Sequence, residues 1–319
     1  MAAFFGFHMP NYTFPGVPDD KLFDHVLEQA TAAEAAGFDL VTVMDHFYQI
    51  RGVGSETNAM LEAYTTLAAI AARTSRVKLS TLVTGVMYRN PALLAKEVTT
   101  LDVVSKGRAI LGIGAAWNED EHVGYGIEFP PIARRMDRLD EAVQIAKLMF
   151  TEERPSFEGK FYRINRALNV PRPIQKGGPK ILIGGGGEKR TLRILAKHGD
   201  IGHWFGGPLG DLKRKRQVFE EHCQAVGRNP AEVTIILGVG IVLAENDKQA
   251  KAIMDALPAE RRAMVRVVSS IDEAAEFLRP YLDAGFGGFT LNNPTLPTPE
   301  AIGRAGDLIK VLRGSGVAA

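Results

Sequence analysis

Cysteine is nearly absent. Cys223 is the only one in 319 residues, so no internal disulfide framework and no multi-cysteine zinc site can form. A surplus of one charge is missing too: 38 lysines and arginines stand against 37 aspartates and glutamates, for a formal net charge of +1. Such a chain projects no overall field toward nucleic acid or an anionic membrane, and a small-molecule partner is expected. No stretch approaches the roughly 18 consecutive apolar residues of a membrane span. The opening MAAFFGFHMPNY has neither a basic n-region nor an apolar h-region, and a cytoplasmic protein is expected. The seven histidines, His8, His25, His46, His122, His198, His203 and His222, are scattered without an HExxH or a paired spacing on one helix, so no metal is expected. No Ser/Gly-rich linker interrupts the chain, which argues for one domain over residues 1–319.

What the sequence does contain is an alternation of short apolar runs with amphipathic stretches. Strands are predicted at 3–8, 40–44, 77–83, 108–114, 180–183, 200–205, 233–242 and 288–291. Helices are predicted at 19–36, 61–73, 91–104, 134–150, 189–198, 211–226, 247–256, 271–284 and 298–312. Residues 151–179 are rich in Pro, Gly and Arg without a sustained period, and read as an excursion over the mouth of a barrel. Runs such as VTVM and AILGIG are apolar on both faces, which suits parallel strands covered by helices. Eight strand–helix units fit a (β/α)₈ TIM barrel with a long insertion between helix 4 and strand 5. A doubly wound open sheet is the alternative.

In a barrel, function gathers after the C-terminal ends of the strands. His8 closes strand one, Asp45-His46-Phe47-Tyr48 follow strand two, Leu82-Val83-Thr84-Gly85 strand three, Ala115-Ala116-Trp117-Asn118 strand four, and Gly184 to Gly187 strand five. The four glycines lie between a strand and a helix, where free N–H groups and the helix dipole can hold a phosphate, with Lys189 and Arg190 adding charge. They lack the lysine and Ser/Thr of a mononucleotide P-loop. His46 beside Asp45 could handle a proton near neutral pH. The two side chains start on opposite faces of an extended strand, and only a turn would bring both to one pocket. His8 could serve the same chemistry or only pack the wall. Glu119-Asp120-Glu121 reads as a solvated helix start, and DLKRKRQVFEEH as an exposed face.

The blocks FDLVTVMDHF, KLSTLVTGVMYRNPALLAKEVTTLDVVSKGRAILGIGAAWNEDE and PKILIGGGGEKRTLRILAKHGD, in register over nearly the whole chain, resemble luciferase-like oxidoreductases, and most of all their class dependent on coenzyme F420. The resemblance implies hydride transfer between F420 and a substrate. Asp45 and His46 would lie beside the reactive edge of the coenzyme ring, with His46 managing a proton. Leu82 and Val83 would support the ring through a non-proline cis peptide, with Thr84 just beyond and Ala115 nearby, and Gly184, Gly185, Gly186 and Gly187 would take the coenzyme phosphate. The family's sugar-phosphate dehydrogenases carry a catalytic glutamate where this chain has Ala115-Ala116-Trp117. With His8, Phe47, Tyr48, Trp117 and Trp204 expected around the pocket, and Met87, Tyr88 and Phe205 near its mouth, an apolar or aromatic substrate of the enone or imine kind is implied. The alternatives are an FMN-dependent monooxygenase, which would need a flavin reductase as partner, and a non-catalytic flavin- or deazaflavin-binding protein. An aldolase-like barrel lacks a strand-end lysine. By the same resemblance the chain pairs as a homodimer through helices 61–73 and 91–104.

Overall fold

The computed structural model describes residues 3–257, 259–262, 265–292 and 298–314. From the N-terminal side the elements run β1 (Phe4–Met9), α1 (Leu22–Ala35), β2 (Leu40–Val43), α2 (Ala63–Ala71), β3 (Lys78–Thr81), the two-residue β4 (Thr84–Gly85) and α3 (Pro91–Val104). There follow β5 (Ile110–Gly114), α4 (Glu119–Gly124), α5 (Ile132–Thr151), the antiparallel pair β6 (Phe157–Glu158) and β7 (Arg163–Ile164), β8 (Lys180–Gly184), α6 (Thr191–His198) and β9 (Ile201–Phe205). The last third holds α7 (Leu209–Ala225), β10 (Thr234–Leu243), α8 (Asp247–Ala256), α9 (Ala259–Arg262), β11 (Val265–Val268), α10 (Ile271–Asp283), β12 (Gly288–Asn292) and α11 (Pro299–Leu312).

The main sheet is parallel throughout, in the order β3-β2-β1-β12-β10-β9-β8-β5-β4, with β11 added beside β10. Leu79 bridges to Ala109 and donates its N–H to the Arg108 carbonyl at 3.0 Å, so β3 meets β5 and the sheet closes. Neighbours follow chain order with β1 next to β12, and no order reversal of the kind that marks an open doubly wound sheet occurs. The fold is the expected (β/α)₈ barrel. Leu40, Ile110, Leu182, Ile201 and Ile236 form a buried cluster with contributions from strands alone. They are the plug inside the barrel, each contributing roughly 1.5–3 kcal/mol by burial. The larger cluster, with Val41, Val43, Leu79 and Leu111 from the strands and Leu67, Leu94 and Ile145 from the helices, fills the layer between sheet and helices. No helix among the described residues is long and apolar enough to cross a membrane.

Two expectations need correction here. The insertion does not pass over the mouth. Buried Asp102, near the end of α3, accepts the N–H groups of Ile174 (2.8 Å) and Gln175 (3.1 Å), and Glu141 on α5 accepts those of Lys160, Phe161 and Tyr162. These carboxylates draw the segment along the outside of the barrel toward the N-terminal ends of the strands. Between α8 and α10, β11 and α9 add to the two predicted helices.

Polar nodes lock the face opposite the mouth. Glu34 in the last turn of α1 accepts the N–H groups of Ser75 (3.0 Å), Arg76 (2.6 Å) and Val77 (2.9 Å). Burial alone would raise its pKa, but these bonds hold the carboxyl below its ordinary value of 4.5. A depressed folded-state value means that the stabilisation is complete above the ordinary value and fades as pH falls through the folded one. We expect Glu34→Ala to lose about 1–2 kcal/mol at neutral pH, discounted for partial exposure. The urea midpoints of variant and wild type should draw together as pH falls below the ordinary carboxylate value, and a gap that does not narrow would refute the assignment.

Candidate functional site

A cleft of about 1820 Å³ opens at the C-terminal ends of the strands, where barrel enzymes carry their chemistry. The alternation of β2 decides what enters it. Leu40 joins the interior plug and Met44 lines the cleft, whereas Val41 and Val43 pack toward the helices. His46 keeps the inward parity and lines the cleft; Asp45 keeps the outward one. No turn brings the two together.

His46 is held by an acid from another loop. Its Nδ1 lies 2.6 Å from Oε1 of Glu121, a fully buried residue at the third position of α4. A carboxylate only accepts, so Nδ1 carries the proton and Nε2 is the nitrogen left for the cleft. The Tyr88 hydroxyl donates to the same Oε1, and the Phe47 N–H to Oε2 at 2.8 Å. Burial would push the Glu121 carboxyl up, but His46, Tyr88 and Phe47 outweigh it and hold it below the ordinary value. The acid also raises the Tyr88 phenol, adding to burial. The His46 ring stands edge-on to Trp117, 5.5 Å between centroids. Trp117, 59% exposed, and Phe205, 76% exposed, form apolar walls of the cleft.

Beside His46 the cleft has an apolar wedge. The Leu82–Val83 peptide is cis, as the family resemblance implies. A Cβ on Gly114 or Gly184 would come within 2.9 or 2.7 Å of Val83 Cγ2, so glycine on β5 and β8 is what lets this side chain occupy the floor. Past β8, Gly185 has φ +105° and gives its N–H to the His203 carbonyl at 2.9 Å. Gly184, Gly185 and Gly187 line the cleft, as do Lys189, Arg190 and Thr191 at the start of α6. Arg190 is tied to Asp137. Lys215 on α7 brings Nζ to within 2.8 Å of where a Cβ on Gly186 would stand. The charged helix read as an exposed face therefore supplies a cation to the glycine loop.

Two more imidazoles lie deeper. His8 Nδ1 is 2.9 Å from Thr42 Oγ1, and His203 Nε2 is 2.8 Å from Thr290 Oγ1. Burial, with His203 and His46 nearby, lowers His8 to about 3; burial lowers His203 to about 4. No cluster of three or more His, Cys, Asp or Glu suited to a metal occurs among the described residues.

A family model described as luciferase-like monooxygenase matches residues 5–288. The chain belongs to this family. Its relatives include F420-dependent glucose-6-phosphate dehydrogenases from Kineococcus radiotolerans, 30% identical over 295 residues covering 83% of this chain and 86% of the relative, and from Nocardia farcinica, 30% identical over 301 residues covering 84% and 88%. Among solved structures, an F420-dependent secondary alcohol dehydrogenase in complex with an F420-acetone adduct superposes with a TM-score of 0.82 at 20% identity, over 98% of this chain and 99% of that one. The EDTA monooxygenase of Chelativorans superposes with 0.84 at 16%, over 100% and 95%. These two likenesses concern the fold.

Within this luciferase-like barrel, several residues expected at the pocket lie elsewhere. Asp45 forms a two-pronged bond with Arg89 (2.6 and 3.2 Å) behind the strand, and Arg89 also binds Glu62 (2.7 Å) and Glu97 (3.1 Å). Burial disfavours the guanidinium charge, but Asp45 beside it raises its pKa above the usual value. Thr84 is buried, its hydroxyl shared with Tyr64 and Thr81 at 2.8 and 3.0 Å. Phe47 packs on Tyr88 and Tyr125, and Tyr48 on Tyr125, clamping the end of α4 rather than lining the cleft. Trp204 is wholly buried on the outward face of β9, between Phe219 and Phe286, while His203 and Phe205 on either side of it face in. Leu82, Val83, Ala115, His8 and Trp117 do line the cleft.

Trp204 gives a direct check of this division. Its Nε1 has no hydrogen-bond partner among the described residues, so Trp204→Phe removes packing alone and should cost about 1–2 kcal/mol. The KM of any organic substrate should stay within about twofold. A large shift in KM at unchanged stability would put the indole back in the pocket.

Proposed function

We propose that this chain is an oxidoreductase that transfers a hydride between coenzyme F420 and an apolar or aromatic organic substrate of the enone or imine kind. The observation that carries the reading is His46: Nδ1 fixed by Glu121, Nε2 open to the cleft, next to the Val83 wedge. Support for the coenzyme comes from F420-dependent relatives at 30% identity over more than four fifths of the chain. The residues present also fit it. Val83 offers a flat apolar support, and at Gly184 and Gly187 a Cβ would crowd the cradle. The N-terminus of α6 with Lys189 and Lys215 offers N–H groups and positive charge to a phosphate.

When bound, F420 supplies or accepts a hydride at a ring carbon. Leu82 and Val83 would orient the ring, and Gly187 with Lys215 would hold its phosphate end. His46 Nε2 gives a proton to the reduced substrate, or takes one in the reverse direction, while Glu121 stabilises the imidazolium. Trp117 and Phe205 surround the substrate with apolar surface and thin out water. Asp45 acts at one remove, anchoring the strand end through Arg89. We further infer that residues 1–319 work as one domain in the cytoplasm, and as a homodimer whose interface covers Leu93 and Val104, the exposed apolar residues of α3. Sedimentation velocity should then give twice the 34.7 kDa chain mass.

Parallel titrations of the purified chain with F420 and with FMN test the proposal, followed by coenzyme fluorescence. Selective F420 binding, with turnover that consumes no oxygen, is the expected result. Selective FMN binding with oxygen uptake would replace it by a monooxygenase served by a reductase, and tight binding without turnover on broad panels by a storage protein.

A further inference from the structure

One oxygen of Glu121 serves two side chains. His46 Nδ1 and the Tyr88 hydroxyl both donate to Oε1, whereas Oε2 takes the backbone N–H groups of Phe47 (2.8 Å) and Tyr48 (3.5 Å). The backbone bonds place the acid; the two side chains share its charge. A phenol that donates to a carboxylate draws electron density from the oxygen it touches, and less is left to stabilise a positive ring on the same atom.

The phenol is built into this position. Tyr88 sits in the tight turn after β4, its N–H donating to the Gly85 carbonyl at 3.0 Å. A Cβ on Gly85 would stand 2.8 Å from Tyr88 Cε2, so glycine at that position is what leaves room for the ring. Phe47 packs against the ring at 4.7 Å between centroids and His122 at 4.8 Å. His122 is fixed in turn by its Nδ1, 2.5 Å from the Asn118 carbonyl. Burial and the acid push the phenol far above its ordinary value, so Tyr88 stays a neutral donor through the neutral pH range. The other titratable and charged groups around this set are Asp45 after β2, His8 on β1, Arg89 after β4, His122 on α4, and Tyr48 and Tyr125 beyond Phe47. Asp45 and Arg89 are paired with each other, burial keeps His8 neutral, and Glu119 and Asp120 lie on the exposed side of α4.

We propose that Tyr88 is a positioning residue for the proton step, resting on the reading of His46 as the proton carrier: by sharing Oε1 with His46, its hydroxyl limits the hold of Glu121 on the imidazolium. The reason lies in what a proton carrier must do. It has to part with its proton as readily as it takes one, and an undivided carboxylate on Nδ1 would favour the charged ring too strongly for release. Without the phenol, the Phe47 and Tyr48 N–H groups and His46 still keep Glu121 ionised near neutral pH, and the share of its charge that Tyr88 had taken passes to His46. Tyr88 touches neither coenzyme nor substrate in this role; it acts through Glu121 alone.

The test is a pH titration of the full chain without coenzyme, labelled with ¹⁵N-histidine, with the His46 ring nitrogens assigned by their loss in His46→Gln. In Tyr88→Phe, which keeps the ring and its packing, the His46 midpoint should rise by about half to one pH unit. 3-Fluorotyrosine at position 88, a more acidic phenol and a stronger donor, should move the midpoint the other way. A packing role alone would not produce opposed shifts. If Tyr88→Phe fails to fold, the fluorotyrosine chain decides. An unmoved or lowered midpoint in Tyr88→Phe, or an unmoved or raised one with 3-fluorotyrosine, would overturn the proposal. A wild type that binds no F420 would bring down the coenzyme reading, whereas the His46 midpoints, read without coenzyme, still decide the part played by Tyr88.

Discussion

Replacing His46 with alanine should lower kcat of F420-coupled turnover by about 10²- to 10⁴-fold while leaving F420 affinity within about twofold, a loss of roughly 3–5 kcal/mol of transition-state stabilisation. The variant removes the one imidazole of the cleft that has an acid partner among the described residues. The Val83 wedge and the glycine loop, which lie on β5, β8 and the segment after β3, are untouched. Binding and proton handling should therefore separate: the fluorescence titration stays where it was and the turnover rate collapses. His46→Gln, which keeps a polar group near Glu121 but cannot shuttle a proton, should resemble the alanine variant. A kcat within tenfold of wild type would mean that another group or water carries the proton.

The second large effect is expected at Glu121. Glutamine there keeps the volume but turns one terminal oxygen into an NH₂ donor. Four donors now converge on the carboxylate, from His46, Tyr88 and the Phe47 and Tyr48 backbone. One of them must lose its acceptor in the variant. A buried unpaired donor costs on the order of 1–3 kcal/mol, with more for the lost ionic partner, so Glu121→Gln should unfold about 2–4 kcal/mol earlier. The kcat should fall by about 10- to 10³-fold, because the imidazolium is no longer stabilised. The pH dependence follows from the depressed carboxyl. Its contribution is whole above the ordinary carboxylate value, and it drains away as pH falls through the lower folded-state value. Wild-type stability should thus fall toward the variant's in acid, measured by urea midpoints from pH 7 to about pH 3.5. A variant midpoint equal to that of wild type at pH 7 would remove Glu121 from this role.

The eight strand–helix units are legible in the sequence because barrel strands are apolar on both faces, one against the interior plug and one against the helices. What escapes such reading is short. α4 spans six residues and β11 four, too few to establish a period. The glycine run and His46 can be picked out by place in the chain, since each follows a strand. Glu121 cannot: it lies 75 residues from His46, and an acid in a first helical turn is ordinarily a solvated dipole partner. Its one sequence signal is its place just beyond the end of β5. Lys215 is hidden among Lys213, Arg214 and Arg216, and only the packing of α7 selects it. Trp204 and Asp45 fail for the same reason. Both residues lie next to cleft residues in sequence, and a period of two sends immediate neighbours to opposite sides of the sheet.

The far wall of the cleft has a different standing from its floor. Val265, Arg266 and Val267 of β11, with Phe277 and Tyr281 of α10, border it, and Arg266 lies 4.8 Å over the Phe277 ring. Yet among the described residues β11 pairs only with β10 and stands outside the closed ring of strands. The closed ring of strands, His46 with Glu121, the Val83 wedge and the glycine loop all lie in other elements. That separation makes the β11 wall a module in the engineering sense: libraries randomised there can vary the length and shape of the molecules accepted while the reacting end of the cleft is inherited unchanged.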